Sequence, residues 1–252
     1  MSARRGSSNQ DPEPPPLTRW HESLYPVDLL LLHAAPIYYG VGVPPGDGSP
    51  VLMIPGFLHS DFYLVILHAW LQRSGYQPYY SGINLNAECP DLLFKNQLDP
   101  LIDQARKDTH KKIHLIGHSL GGIIARSIAA QRPADIASII TLGSPFPGGA
   151  VHHSVLRDSE VVRRFIQGQH GGSVRTECYT DRCQCDFMKS LHSGVPHHIP
   201  YTAVYTKNDG IVDWKSCRTG NPAVDVEVTG THAGLAFNPS AYSTIALRLA
   251  RK

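Results

Sequence analysis

No apolar run in this sequence is long enough to cross a bilayer. The longest apolar patch, around Leu29 to Val43, is interrupted by His33, Pro36 and Gly40, so no membrane-spanning helix is expected. An apolar core is also missing behind Arg4 and Arg5, which argues against a secretory leader. Charge of one sign is missing too. The 23 basic residues meet 21 acidic ones and are scattered, whereas a nucleic-acid partner would call for a basic patch on one face. Five cysteines in 252 residues are too few, and odd in number, for a small disulfide-built scaffold. These absences point to a cytoplasmic protein that does not bind nucleic acid.

What is present is an α/β pattern. Residues 1–18 are polar and rich in proline and are expected to stay disordered. The rest, 19–252, is the right size for one domain with an insertion. Trp20 to Tyr39 has helical apolar spacing at Leu24, Val27, Leu30 and Leu31. Such a helix either covers one end of the core or touches lipid as a peripheral membrane contact. Buried-strand runs follow at Val51–Ile54, Tyr76–Tyr80, Ile113–Gly117, Ile136–Leu142, Tyr201–Tyr205 and Val224–Val228. Helical stretches separate them at Phe62–Gln72 and Leu92–Asp108, with an irregularity expected at Pro100. A further helix follows Ser119. Asn238-Pro239 then reads as the cap and first residue of a last helix, Ala241–Ala250. Strands alternating with helices in this way imply a mostly parallel sheet covered on both faces. About 147–200 the rhythm breaks. One helix-like piece (Val161–Gln167) stands in a stretch rich in Gly, His and Cys, expected to lie over the C-terminal ends of the strands.

One motif carries chemistry. Gly117-His118-Ser119-Leu120-Gly121 joins an apolar strand to a helix rich in Ala and Ile. In that context the glycines allow a strained turn that lifts the Ser119 hydroxyl clear of the backbone. The amide of Leu120 then begins the helix and is free to meet a developing oxyanion. A serine hydroxyl is a weak nucleophile and needs a base within reach. Imidazole suits, and a carboxylate on its other nitrogen fixes its tautomer. His232, after Gly230-Thr231, and Asp209, in Asn208-Asp209-Gly210, each follow an apolar strand. Asp213 is a rival acid four residues further on.

Over roughly residues 50–250 the chain resembles the α/β-hydrolase superfamily, in its bacterial esterase and lipase branch. The residues that carry this are Ile54-Pro55-Gly56-Phe57, Gly117-His118-Ser119-Leu120-Gly121-Gly122, Asn208-Asp209-Gly210-Ile211-Val212 and Gly230-Thr231-His232-Ala233-Gly234-Leu235. The chain order Ser, Asp, His is the one that fold uses. The resemblance implies an α/β-hydrolase fold with a lid-like insertion and Ser119, Asp209 and His232 as catalytic residues. The backbone amides of Phe57 and Leu120 would form the oxyanion hole, and no cofactor or metal would be needed. Pro55 stands where many members have a histidine.

The expected activity is cleavage of carboxylic esters, small or lipid-like, through an acyl-enzyme on Ser119. A thioesterase or acyltransferase would use the same residues, and a non-catalytic binding module on the same scaffold is the reading from another class. Nine apolar residues of the insertion (Val155, Leu156, Val161, Val162, Phe165, Ile166, Phe187, Met188 and Leu191) are expected to wall an acyl channel. Cys178, Cys183, Cys185 and Cys217 are open to three readings: packed or free thiols, disulfides, or a zinc site. Cys89 reads as packing. Histidines 152, 153, 192, 197 and 198 have no assigned role.

Overall fold

Side chains on the first strand alternate between two cores. In β1 (Pro50–Ile54), Val51 and Met53 point to one face and Leu52 and Ile54 to the other. Both faces are covered, so the strand has no polar side and reads as an unbroken apolar run. The computed structural model describes residues 19–146 and 183–251, with Val161 and Arg164 between them. Within it the strands β1, β2 (Gln77–Tyr80), β3 (Ile113–His118), β4 (Ile136–Leu142), β5 (Tyr201–Tyr205) and β6 (Asp225–Glu227) form one sheet in the order β2-β1-β3-β4-β5-β6. Every neighbouring pair is parallel.

Helices fill the crossovers. On one face, α1 (Tyr25–Ala34), α2 (Val65–Arg73) and α7 (Pro239–Leu249) bring Leu32, Leu67, Trp70, Tyr242 and Ile245 onto Met53, Ile116 and Ile140. On the other, α4 (Asp99–Thr109), α5 (Leu120–Gln131) and α6 (Asp186–Ser193) bring Ile102, Ile124, Ile128 and Phe187 onto Leu52, Leu115 and Ile139. Asn238 caps α7 as its sequence suggests, its Oδ1 accepting from the amides of Ser240 and Ala241 at 2.9 and 3.0 Å. The irregularity expected at Pro100 lies just before it. A short helix, α3 (Pro90–Leu93), runs into a π-helical stretch, Phe94–Leu98, before α4 begins. Pro100 has no N–H for the carbonyl of Asn96, so the preceding turn widens.

Two expectations need correcting. Trp20 to Tyr39 is not one helix but a 3-10 turn (Arg19–Leu24), α1 and a second 3-10 turn (Pro36–Tyr39). It covers one end of the core through Leu32 and the buried Asp28, while Leu24, Val27, Leu30 and Leu31 face outward. Helical spacing says which residues share a face, not which face turns inward. Secondly, Phe187, Met188 and Leu191, expected to wall an acyl channel, pack with the α5 core, and of the three Leu191 also lines a cavity, one that Ser119, Asp209 and His232 do not line. The other six channel residues lie outside the described residues except Val161, which is exposed. The same holds for residues 1–18 and for the helix-like piece 161–167 apart from Val161 and Arg164, both helical.

The strand order fixes where a site can form. β1 has β2 on one side and β3 on the other, so the connections leaving β1 and β3 run to opposite sides. In sheets of this kind the C-terminal ends of two strands whose connections diverge in this way are the usual place for a ligand.

Candidate active site

Ser119 stands at that C-terminal edge, between the end of β3 and the start of α5. Its φ of 52° and ψ of −119° lie in a region that non-glycine residues rarely adopt, a conformation costing about 1–3 kcal/mol. The turn is so tight that a Cβ on Gly121 would sit 2.1 Å from the carbonyl oxygen of Ile54, so only glycine fits there. The Ser119 amide donates to the carbonyl of Leu142 at the end of β4, 2.8 Å away. Its side chain is half-buried.

Asp209 and His232, 23 residues apart, meet at 2.6 Å between Oδ2 and Nδ1. Their side chains are only 1% and 6% exposed. The other carboxylate oxygen of Asp209 accepts from the amides of Ile211 and Val212 at 2.9 and 2.8 Å, so the carboxylate is held from both sides. Because a carboxylate only accepts, Nδ1 carries the proton and Nε2 of neutral His232 keeps a lone pair. Burial is the largest single effect on His232 and disfavours the imidazolium. The charge and hydrogen bond of Asp209 and the charge of Glu22 together outweigh it, so the pKa is raised from 6.5. A Cβ on Gly143, the residue after Leu142, would lie 3.0 Å from His232 Nδ1. The serine backbone and the imidazole therefore both adjoin the end of β4. Asp213 does not reach the histidine. It caps the 3-10 turn Trp214–Cys217, accepting from the amide of Lys215 at 3.0 Å.

The loop after β1 holds Phe57. Its hydrogen bonding comes from Asn86, which the sequence did not single out. Fully buried Asn86 donates from Nδ2 to the Pro55 carbonyl at 2.6 Å. Its carbonyl accepts from the Leu58 amide and its amide donates to the His59 carbonyl, both at 2.9 Å. Among the described residues no acceptor takes the Phe57 amide. The Leu120 amide opens α5 and has no carbonyl a turn earlier within its helix.

Three further groups, to which the sequence assigned no role, hold the segment that carries His232. His118 Nε2 donates to the His232 carbonyl at 2.9 Å, and the two rings lie 4.9 Å apart. Burial, with the charge of His232 adding, holds the His118 pKa well below 6.5, so this neighbour stays neutral. Tyr63 donates to the Ala233 carbonyl at 2.5 Å. Asp28 of α1 accepts from the amide and hydroxyl of Thr231 at 3.4 and 3.3 Å, and burial raises its pKa. It comes so close that a Cβ on Gly234 would lie 1.8 Å from Asp28 Oδ2.

The described cysteines Cys89, Cys183, Cys185 and Cys217 are free thiols, and Cys178 lies outside the described residues. Cys183 and Phe57 pack on Ala87 and Cys89, while Cys217 joins a separate cluster with Tyr205 and Val212. Burial pushes the Cys185 thiol up to about 12. Among the described residues no three His, Cys, Asp or Glu side chains gather as a metal site. His192 bonds the carbonyl of Met188 in its own helix, and His152 and His153 lie outside the described residues. A cavity of about 650 Å³ opens beside α5 and β5, walled by Arg126, Phe146, Leu191, Val195 and Tyr201 among others; Ser119, Asp209 and His232 do not line it.

The palmitoyl protein thioesterase family matches residues 91–208, a stretch that includes Ser119 and stops one residue short of Asp209. The chain is 25% identical over 211 residues to a triacylglycerol lipase of Burkholderia plantarii, covering 76% of this chain and 57% of that protein. It is 26% identical over 191 residues to a triacylglycerol lipase of Pseudarthrobacter phenanthrenivorans, covering 68% and 58%. The chain thus spans under three fifths of the length of these curated relatives. A monoacylglycerol lipase of Paleococcus ferrophilus shares the fold, with a TM-score of 0.53 at 14% identity over 82% of this chain and 96% of that one.

Proposed function

From the α/β-hydrolase fold, the thioesterase family match and the lipase relatives, we infer that the chain is a serine hydrolase of the α/β-hydrolase superfamily that cleaves carboxylic esters through an acyl-enzyme on Ser119. The observation that carries this reading is the buried 2.6 Å contact between Asp209 Oδ2 and His232 Nδ1, which leaves Nε2 as a base. Ser119 Oγ attacks the ester carbonyl as His232 Nε2 takes its proton. The carbonyl oxygen becomes an oxyanion held by the amides of Phe57 and Leu120, typically worth about 3 kcal/mol per donor. The C–O bond to the alcohol then breaks, and His232 returns the proton to the leaving oxygen. Water, deprotonated by the same nitrogen, releases the acid and frees Ser119.

The substrate proposed is a lipid-like ester, with the insertion at about 147–200 acting as a lid within one domain over 19–252. The outward face of the N-terminal segment supports contact with a lipid surface from the cytoplasm: Trp20, Leu30 and Tyr39 are 64%, 70% and 69% exposed. Labelling with a fluorophosphonate probe, followed by peptide mapping, tests the nucleophile. Modification of Ser119 and turnover of p-nitrophenyl esters are expected, with kcat/KM rising from acetyl to medium-chain esters. Label on another serine would refute the assignment, and a preference for acetyl esters would refute the lipid-like substrate. An absence of label would favour the non-catalytic binding module. A thioesterase is the second reading, supported by the thioesterase family match around Ser119, and an acyltransferase would use the same residues. Faster turnover of an S-acyl than an O-acyl substrate would select the thioesterase, and an ester product formed with added alcohol the acyltransferase.

A further inference from the structure

The acid and histidine loops are joined by a residue that neither loop contains. Glu22, half-buried in the N-terminal 3-10 turn, reaches across 188 residues of sequence to take the Gly210 amide on Oε1 at 2.8 Å. The same oxygen accepts from the His232 amide at 3.2 Å, and Oε2 accepts from Ala233 at 2.8 Å. Gly210 follows the acid and Ala233 follows the base. One carboxylate thus holds the backbone on both sides of the Asp209–His232 contact. Charge-assisted bonds of this kind are the stronger sort, and both oxygens of the carboxylate take part.

We propose that Glu22 is a positioning residue for the hydrolytic reaction, locking the acid and histidine loops to each other and adding negative charge beside the imidazolium formed on proton transfer. The proposal rests on the reading that His232 is the base. Its charge already acts on that ring: Glu22 is among the groups that raise the His232 pKa, after burial and Asp209. Around Glu22 the titratable groups are Asp209 and His232 on the two loops, Tyr63 behind Ala233, Asp28 and Tyr25 on α1, and His21 on its own turn. Burial, then Glu22 and other nearby charges, push the Tyr63 pKa well above 10.0, so Tyr63 stays neutral and does not compete for the role. His118 and His59 are both held below 6.5, burial first. His232, whose backbone amide Glu22 holds, is the histidine whose charged form Glu22 favours.

The test is Glu22→Gln, with Glu22→Ala as a second variant. The Gln side chain keeps the size but loses the charge and turns one acceptor into a donor. The His232 ring titration is followed by NMR, its signal assigned by its loss in His232→Ala, alongside kcat, KM and thermal melting. Removing the negative charge lowers the imidazole pKa, by about half a unit. In Glu22→Gln, kcat is expected to fall about tenfold with KM nearly unchanged, as for an interaction made in the transition state. The acid limb of kcat/KM should move to lower pH with the ring. A His232 titration identical to wild type would overturn the proposal. So would a rate loss that follows the fraction unfolded in both variants. The NMR titration needs no substrate, so it judges Glu22 even if wild-type protein hydrolyses no ester and Ser119 takes no label. Those two results would instead refute the hydrolase reading.

Discussion

The serine side and the histidine side of the site are held in place by different physics. Ser119 is fixed largely by its own neighbours in sequence, through a positive φ and a helix that starts at the next residue, with Gly121 admitting the close approach of Ile54. His232 opens a 3-10 turn, Ala233–Phe237, whose own bonds, such as that from the Gly234 amide to Thr231 Oγ1 at 2.9 Å, shape the backbone. It is tied from outside by Asp209, Glu22, Asp28, Tyr63 and His118, the N-terminal pair lying about two hundred residues away in sequence. Backbone sterics need only a short motif, whereas a buried carboxylate must be delivered by the tertiary fold. The serine side should therefore tolerate remote changes, and the histidine side should fail through them.

The largest effect breaks the serine side alone. Ser119→Ala is expected to lower ester turnover by about 10⁴-fold or more while leaving circular dichroism and melting nearly unchanged. His232→Ala should cost as much, and the double variant no more, because the groups act as a unit. Additive losses in kinetic assays would show that they do not.

Next comes the acid. Asp209→Asn should reduce kcat by roughly 10²–10⁴-fold, since an amide cannot impose the Nδ1–H tautomer. Its control, Asp213→Asn, should leave kcat alone; a larger loss there would shift the acid to Asp213.

Gly234→Ala sharpens the comparison on the histidine side. Its Cβ would fall 1.8 Å from Asp28 Oδ2, forcing the loop or α1 to move at a cost of about 1–3 kcal/mol. Melting temperature and kcat should both drop. Near-wild-type values for both would mean that Asp28 does not pin the loop.

The pH dependence is a smaller effect with a definite sign. His232 has its pKa raised from 6.5, so the base form appears, and kcat/KM rises, above 6.5 rather than at it. The linked stability runs the other way. The charged ring is favoured by the fold, so its contribution is fully present below about 6.5 and is lost as pH rises through the raised value. A rate profile with its midpoint at or below 6.5 would contradict both statements. The smallest effect is that of Asp213→Asn or Ala on folding, where loss of the cap on the Trp214–Cys217 turn should cost about 1 kcal/mol or less by denaturant melting.

Much of this was legible in the sequence because it is governed by short-range rules. The Gly-x-Ser-x-Gly turn, the apolar strands and the Asn238-Pro239 cap all follow from sterics and hydrogen bonds within a few residues. So did the alternation that implies a parallel sheet covered on both faces. The inward side of α1 was not legible: four apolar residues mark a face that turns outward, while Asp28 and Leu32 go in. Asn86, which ties the loop carrying Phe57, and Glu22, which ties the loops carrying Asp209 and His232, also left no mark. A lone Asn or Glu acquires such a role only when folding brings unpaired backbone groups to it. The sequence by itself determined the sheet, the strained serine and the types of residue offered as acid and base. Only the tertiary structure decided that Asp209 and not Asp213 meets His232, and that the N-terminal segment holds the loop there. Those contacts depend on where distant chain segments are packed, and no spacing within one segment encodes that.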